Sequence, residues 1–168
     1  MYTCGIIGHR LFKENISLEP LLEELIFEQR VSCFNFGTKS QFTLECAKAV
    51  ARLQKHYPFV KMRIFLVKGE MCFLKGQESL AELVSKYSTP VFYDEVYEKI
   101  IDAGKLSYIK RNQEIVDNSD IIFCYYNYDR IINKQNMITN SGTAMALAYA
   151  KKQNKQIINI YKQKRPNN

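Results

Sequence analysis

Short apolar runs alternate with amphipathic stretches along this chain, an arrangement that is typical of an α/β fold. Runs bounded by polar residues predict buried strands at residues 2–7, 31–36, 61–67, 121–126 and 156–160. Helical spacing of the apolar residues between these runs predicts helices, whose starts lie at Ser17, Phe42, Tyr108 and Ser141. The alternation predicts three layers, in which a sheet of mainly parallel strands with right-handed crossovers lies between helices.

The pattern is weaker between residues 68 and 104. It predicts an amphipathic helix over residues 78–87, a short strand or extended segment over 91–93 and a helical turn over 95–103. The aromatic residues of this segment could flank a base, but we expect them to pack in the core. Because no repeat, low-complexity block or linker interrupts the chain, we predict one domain over residues 1–161 and a basic tail over 162–168.

Two predicted strands end in loops that suit an anionic ligand. The carboxyl ends of parallel strands meet at one edge of a sheet, where the ligands of open α/β folds bind. The guanidinium of Arg10 could bind a phosphate or carboxylate there, and the alternative is a polar turn bonded to local carbonyls. The second loop offers hydroxyls, an amide and a lysine. Together the two loops supply these candidates: Gly8, His9, Arg10, Gly37, Thr38, Lys39, Ser40 and Gln41.

A third candidate is the start of the last predicted helix, which opens with Ser141, Gly142 and Thr143. The first N–H groups of a helix have no intrahelical acceptors and carry a partial positive charge, and glycine has no side chain to hold a ligand away. This helix start is therefore predicted to bind an anion, for which phosphate is the best fit, and the alternative is an ordinary capped helix. Because independent features converge at one edge of the sheet, we predict a ligand site there.

Composition narrows the class of partner without choosing one. The chain of 168 residues has 24 Lys and Arg against 17 Asp and Glu, which gives a formal net charge of +7. This excess favours nucleotides, nucleic acid or acidic proteins. The five cysteines form no CxxC pair, which predicts a reduced intracellular protein without a metal site. The chain shows no signal segment and no apolar run near the ~18 residues of a membrane span, so we expect a cytoplasmic protein outside the membrane.

Four motifs resemble those of the SLOG superfamily, and they occur in this order: Gly8-His9-Arg10, residues 36–42, Arg111-Asn112-Gln113-Glu114 together with Asp117-Asn118-Ser119-Asp120, and Ser141-Gly142-Thr143. The chain is most similar to the uncharacterised YpsA-like branch, which is related to DNA-processing protein A and to the LOG proteins. The resemblance spans nearly the whole chain. It implies a Rossmann-like fold that binds a nucleotide or a nucleotide-derived small molecule, and it adds Arg111 and Asn112 to the site. We predict no cofactor.

The chain departs from the family pattern at several positions. Ser141 stands where many members have a first glycine, and Gln41 and Thr43 stand where others in the branch have a glycine and an aspartate. Ala146 stands where the LOG enzymes, which cleave the N-glycosidic bond of nucleoside monophosphates, have a glutamate. We therefore expect a ligand-binding protein, acting as a sensor or sequestering module, and we do not expect LOG-type hydrolysis.

Two other classes of function stay open. One is an enzyme that acts on a nucleotide, either an N-glycoside hydrolase or a deoxyribosyltransferase of similar fold. The other is a module that binds DNA through its basic surface, which we rank below a small-molecule ligand. The sequence does not determine the oligomeric state, and a homo-oligomer is compatible with it.

Overall fold

The computed structural model of the chain describes residues 1–12, 15–38, 40–67, 93–99, 105–127 and 141–161. They form six strands: β1 (Tyr2–Gly8), β2 (Val31–Phe36), β3 (Lys61–Val67), β4 (Tyr93–Lys99), β5 (Ile121–Tyr125) and β6 (Gln156–Asn159). They also form four helices: α1 (Leu18–Phe27), α2 (Gln41–Leu53), α3 (Lys105–Asp117) and α4 (Gly142–Lys152). None of these described helices is long and apolar enough to cross a membrane. The helix predicted over residues 78–87 lies outside the described residues.

All six strands run parallel in one sheet, in the order β4-β3-β2-β1-β5-β6. The chain builds outward from β1 to β4 and then continues on the other side of β1 with β5 and β6. The strand order therefore reverses between β1 and β5, where Gly8 pairs with Tyr125 at the carboxyl ends. In an open α/β sheet this switch point leaves a crevice beyond the strand ends, and ligands bind there.

Helices cover both faces of the sheet and bury two separate apolar cores. On one face α1 and α2 pack against the sheet, and Leu22 and Phe42 are fully buried there. On the other face α3 and α4 bury Ile115 and Leu147. Each such side chain contributes about 1.5–3 kcal/mol by leaving water. The predicted α/β fold, with three Rossmann-like layers around a parallel sheet, is confirmed.

The helical turn predicted over residues 95–103 is wrong where the structure describes it, because Tyr93–Lys99 form strand β4. Tyr93, Val96 and Tyr97 are of the aromatic and β-branched types that favour strands. Among the described strands β4 pairs with β3 only, so it is an edge strand. The pairing with β3 therefore places residues 95–99 in a strand.

Serines at three helix starts behave differently. Ser17 occupies the predicted N-cap position of α1, but its side chain makes no capping hydrogen bond. The Ser40 hydroxyl caps α2 by accepting from the Thr43 N–H at 3.2 Å. The Ser141 hydroxyl caps α4 by accepting from the Ala144 N–H at 3.1 Å. A serine cap contributes about 1 kcal/mol, so the starts of α2 and α4 are held in place.

The cysteines of the described residues are buried and form no disulfide there: Cys4, Cys33, Cys46 and Cys124. Burial raises the pKa of the Cys4 and Cys46 thiols well above its ordinary value, and it raises the pKa of Cys124 to about 12. These three thiols are therefore protonated at neutral pH and act as small apolar side chains. The prediction that Cys4, Cys33 and Cys124 pack in strands is confirmed. Cys72 lies outside the described residues.

Candidate functional site

A cavity of about 510 Å³ lies beyond the carboxyl end of β1, beside the switch point of the sheet. Its volume is in the range of pockets that bind small molecules. The wall consists of the end of β1 with the following loop, the loop after β2, one side of α3 and the starts of α2 and α4. The lining residues are Ile6, Ile7, Gly8, His9, Arg10, Leu11, Gly37, Ser40, Thr43, Tyr108, Ile109, Arg111, Asn112, Ile115, Ser141, Gly142 and Thr143.

Most of the predicted site residues meet at this cavity, although they come from four separate parts of the chain. Those that line it are Gly8, His9, Arg10, Gly37, Ser40, Arg111, Asn112, Ser141, Gly142 and Thr143. Thr38 and Gln41 are not among the lining residues but bond to residues that are: Thr38 accepts from Arg111, and the Gln41 N–H donates to the Arg10 carbonyl. Lys39 lies outside the described residues.

The loop after β1 is fixed by its carbonyl groups. Three successive carbonyl oxygens accept hydrogen bonds from the starts of α2 and α4. The donors are the Thr143 hydroxyl to Gly8 at 3.0 Å, the Ser40 hydroxyl to His9 at 2.8 Å and the Gln41 N–H to Arg10 at 3.1 Å. The loop and the two helix starts thus form one connected unit.

His9 links the ends of the two strands at the switch point. Its ring Nε2 accepts from the Asn127 backbone N–H at 3.0 Å, and the His9 backbone N–H donates to the Tyr125 carbonyl at 3.2 Å. The imidazole also packs on the Tyr126 ring, with 5.0 Å between ring centroids. Because Nε2 accepts a hydrogen bond, it carries no proton in this arrangement. The described bonds of His9 therefore hold the end of β5 against the loop after β1.

Arg111 brings a positive charge from α3 to the cavity wall although its side chain is buried. Its Nη1 donates to the Thr38 hydroxyl at 2.9 Å, and its Nε and Nη2 donate to the side-chain Oδ1 of Asn112 at 3.2 and 3.1 Å. Its Cζ lies 5.4 Å from the centre of the Tyr108 ring. Gly37 permits this position, because a Cβ there would lie 2.8 Å from Cζ. The loop after β2 therefore requires glycine for close approach of the guanidinium.

Two carboxylates that follow Arg111 in the sequence, Asp117 and Asp120, make contacts away from the cavity. Asp120 accepts from the Thr3 N–H at 2.8 Å, at the amino end of β1 and opposite the cavity. Asp117 accepts from the Tyr149 hydroxyl at 3.0 Å, and this bond raises the pKa of that phenol. Both carboxylates therefore serve contacts other than the site.

The start of α4 presents backbone donors to the cavity. The Ser141 hydroxyl accepts a hydrogen bond from the Ala144 N–H. The N–H groups of Gly142 and Thr143, which lie between these two residues, have no intrahelical acceptor. Gly142 is exposed, and the nearest atom to a Cβ built on it is Asn112 Nδ2 at 3.6 Å. The Asn112 amide also donates to the Gly142 carbonyl at 3.3 Å. The start of α4 is therefore open to a ligand, and the Asn112 side chain anchors it to α3.

The charge at the cavity is positive. The exposed Arg10 and the buried Arg111 both line it, and the starts of α2 and α4 add the positive ends of two helix dipoles. Among the described lining residues there is no Asp or Glu. Within the described part of the chain, no group of three or more His, Cys, Asp and Glu side chains could hold a metal ion. This arrangement attracts anions and supplies no carboxylate from the described wall.

The sequence did not reveal several members of the wall. Tyr108, Ile109 and Ile115 line the cavity from α3, and Thr43 lines it from α2. A signal for Tyr108 existed, because positions three apart share one face of a helix and Arg111 follows it by three. The isoleucines gave no such signal, since the same residue types also form the core.

No protein-family model and no curated protein sequence matches the chain. Support for a function therefore comes from the chemistry of the cavity and from the motifs that form its wall.

Proposed function

We propose that the cavity binds a nucleotide or a nucleotide-derived small molecule, and that the protein acts as a sensor or sequestering module for it. One observation carries this proposal: Arg10, Arg111 and the start of α4 converge on a single cavity at the switch point of a parallel sheet. Phosphate is the common ligand group that matches backbone N–H donors and guanidinium groups together.

The phosphate is proposed to lie against Gly142 and Thr143, within reach of the arginines. A helix start contributes about 0.3–2 kcal/mol to binding an anion, and a charge-assisted hydrogen bond contributes about 1.5–3 kcal/mol. Their sum of about 2–5 kcal/mol corresponds to roughly millimolar affinity for phosphate alone. A ligand that binds more tightly than phosphate alone must therefore gain further affinity from the groups attached to its phosphate.

The apolar wall suits a nucleoside moiety attached to the phosphate. Ile6, Ile109 and Ile115 line the cavity together with the half-buried Tyr108. A heterocyclic base that leaves water gains about 25 cal/mol per Å² of apolar surface covered, and an aromatic ring adds a favourable contact. This division into a cationic end and an apolar end supports a nucleotide over inorganic phosphate.

Binding without turnover is favoured over N-glycoside hydrolysis. That reaction builds positive charge on the ribose, which enzymes usually stabilise with a positioned carboxylate. The described wall carries no carboxylate, and Ala146 is buried in α4 outside the wall. A surface that binds DNA would instead be broad and exposed, whereas these cations surround one cavity.

The proposal is tested by the small molecules that the purified protein carries. We expect mass spectrometry of the acid-released fraction to detect a phosphorylated nucleoside or a derivative of one. Arg10→Ala should reduce its amount, whereas Lys110→Ala, which removes an exposed positive charge of α3 outside the described wall, should not. Loss of an unphosphorylated metabolite instead would contradict the assignment.

A further inference from the structure

The side chain of Asn112 uses both ends of its amide within the cavity wall. Its Oδ1 accepts from the Nε and Nη2 of Arg111 at 3.2 and 3.1 Å, and its Nδ2 donates to the Gly142 carbonyl at 3.3 Å. Asn112 is half-buried and lines the cavity together with both of these partners. The guanidinium of Arg111 and the start of α4 are therefore held one amide group apart.

Other parts of the chain order the same guanidinium. The Thr38 hydroxyl accepts from its Nη1 at 2.9 Å, and the centre of the Tyr108 ring lies 5.4 Å from its Cζ. The backbone of Gly37 is so close that a Cβ there would lie 2.8 Å from Cζ. A long side chain that must be ordered by its ligand reduces the affinity, because it loses rotamer freedom on binding. The fold has already ordered the Arg111 side chain, so this loss is small.

Asn112 and Thr38 are uncharged partners, and their chemistry suits a cation that has to attract an anion. Both orient the guanidinium of Arg111 without neutralising it. A carboxylate at position 112 would have nearly the same shape and would also accept from the guanidinium. However, its negative charge would offset that of the cation and repel a phosphate. A carboxylate would also have no N–H to donate to the Gly142 carbonyl.

We propose that Asn112 is a positioning residue, which holds the Arg111 guanidinium in the cavity wall at a fixed spacing from the start of α4 and leaves its positive charge effective. This inference rests on the proposed phosphate site and deepens it. The phosphate contacts Arg111, and Asn112 acts on the phosphate through Arg111. The residue type matters because an amide accepts at one end, donates at the other and carries no charge.

NMR titration with inorganic phosphate at constant ionic strength tests this role. Arg111→Ala should weaken phosphate binding at least about tenfold, because a charge-assisted hydrogen bond is lost. Asn112→Ala should weaken it about two- to tenfold, because the freed guanidinium must then be ordered by the ligand. Asn112→Asp should weaken it at least about tenfold, although it keeps an acceptor for Arg111.

Gln113→Glu is the matched control for Asn112→Asp. It makes the same change from amide to carboxylate at the next residue of α3, which is outside the described wall of the cavity. This variant should bind phosphate nearly as well as the wild type does. A comparable loss of affinity in Gln113→Glu would overturn the proposal, because any added negative charge on α3 would then have the same effect.

Thermal melts separate positioning from a purely structural role. Asn112→Asp should melt at a higher temperature than Asn112→Ala, because its carboxylate pairs with the guanidinium, and yet it should bind phosphate more weakly. A residue that only stabilises the fold would rank the two variants in the same order in both measurements. The Nε–H signal of Arg111 in NMR spectra should persist in Asn112→Asp and exchange faster with water in Asn112→Ala.

The outcomes distinguish this inference from the function on which it rests. If Arg111→Ala weakens phosphate binding but Asn112→Asp binds phosphate like the wild type, the role of Asn112 is overturned and the phosphate site stands. An Nε–H signal of Arg111 that Asn112→Ala leaves unchanged would overturn that role too. If the wild type does not bind phosphate, or if Arg111→Ala binds it equally well, the phosphate contact of Arg111 fails and the inference fails with it.

Discussion

Arg10 and Arg111 bring the same charge to the cavity but are held in different ways. Arg10 is exposed near the beginning of the loop after β1, whereas Arg111 is 7 % exposed and bonds to Thr38 and Asn112. A buried guanidinium binds its ligand with little loss of side-chain freedom, because the fold has already ordered it. Its removal also leaves protein groups without their donor.

We expect Arg10→Ala to weaken ligand binding at least about tenfold and to leave the melting temperature nearly unchanged. Arg111→Ala should weaken binding and also lower the free energy of unfolding by about 1–3 kcal/mol, because Thr38 and Asn112 lose charged hydrogen bonds. Lys110→Ala is the control for net charge. Calorimetry and thermal melts separate the two effects, and an Arg10→Ala protein that is destabilised but binds normally would show that these roles are reversed.

At the scale of elements, the starts of α2 and α4 hold the site together. Ser40 and Ser141 are matched N-caps, but the Ser40 hydroxyl also donates to the His9 carbonyl. Each helix start thus fixes donors at the cavity, and α2 additionally fixes the loop after β1. The stability of a cap is therefore linked to the geometry of the binding site.

This difference predicts unequal effects of two identical substitutions. Ser141→Ala should lower the free energy of unfolding by about 0.5–2 kcal/mol through loss of the cap. Ser40→Ala should cost roughly 0.5–1.5 kcal/mol more, because the His9 carbonyl also loses its hydroxyl donor. Urea denaturation of both variants measures the difference. Equal losses would mean that the bond to His9 contributes nothing to stability.

The pattern of apolar residues was enough to predict the buried elements among the described residues. It failed to predict β4, whose sequence contains several charged residues. β1, β2 and β5 are short apolar runs that fit only a buried strand, and the loops after β1 and β2 met at the cavity as predicted. β4 carries the sequence Tyr-Asp-Glu-Val-Tyr-Glu-Lys, whose spacing also fits an exposed helix. Only pairing with β3 distinguishes the two, and a sequence does not display pairing between distant segments.

Roles within the cavity were also beyond the sequence. Gly37 was predicted to be a site residue and it lines the cavity, but the sequence did not show that its backbone also lies against the guanidinium of Arg111, which is distant in sequence. Thr38 likewise orients Arg111 from outside the described wall. These contacts of Arg111 with Gly37 and Thr38 depend on tertiary packing between α3 and the loop after β2. The sequence of neither segment indicates that the two segments pack together.

At the scale of the whole molecule, cations and helix starts collect at the carboxyl edge of the sheet. Asp117 and Asp120, two carboxylates of the motifs, accept hydrogen bonds away from the cavity. Glu114 on α3 is also outside the described wall. The distribution favours holding an anion over cleaving a glycosidic bond.

We therefore expect no release of free base when purified protein is incubated with a panel of nucleoside monophosphates. Loss of a catalytic carboxylate commonly costs about 10²–10⁴-fold in rate. Chromatography of the reaction mixtures detects the base. Turnover in the wild type that disappears in Glu114→Gln would contradict this expectation and would identify the acid responsible.

Calorimetric titration of Gly142→Val tests the central claim most directly. Gly142 is exposed at the helix start, and the substitution costs the helix only a few tenths of a kcal/mol, so the variant should fold. A branched side chain there should block close approach of a phosphate. Ala148→Val, at an exposed position of α4 outside the described wall, is the matched control. Nucleotides that bind the wild type and Ala148→Val should fail to bind Gly142→Val, whereas equal affinity in a folded Gly142→Val protein would contradict a phosphate site at the start of α4.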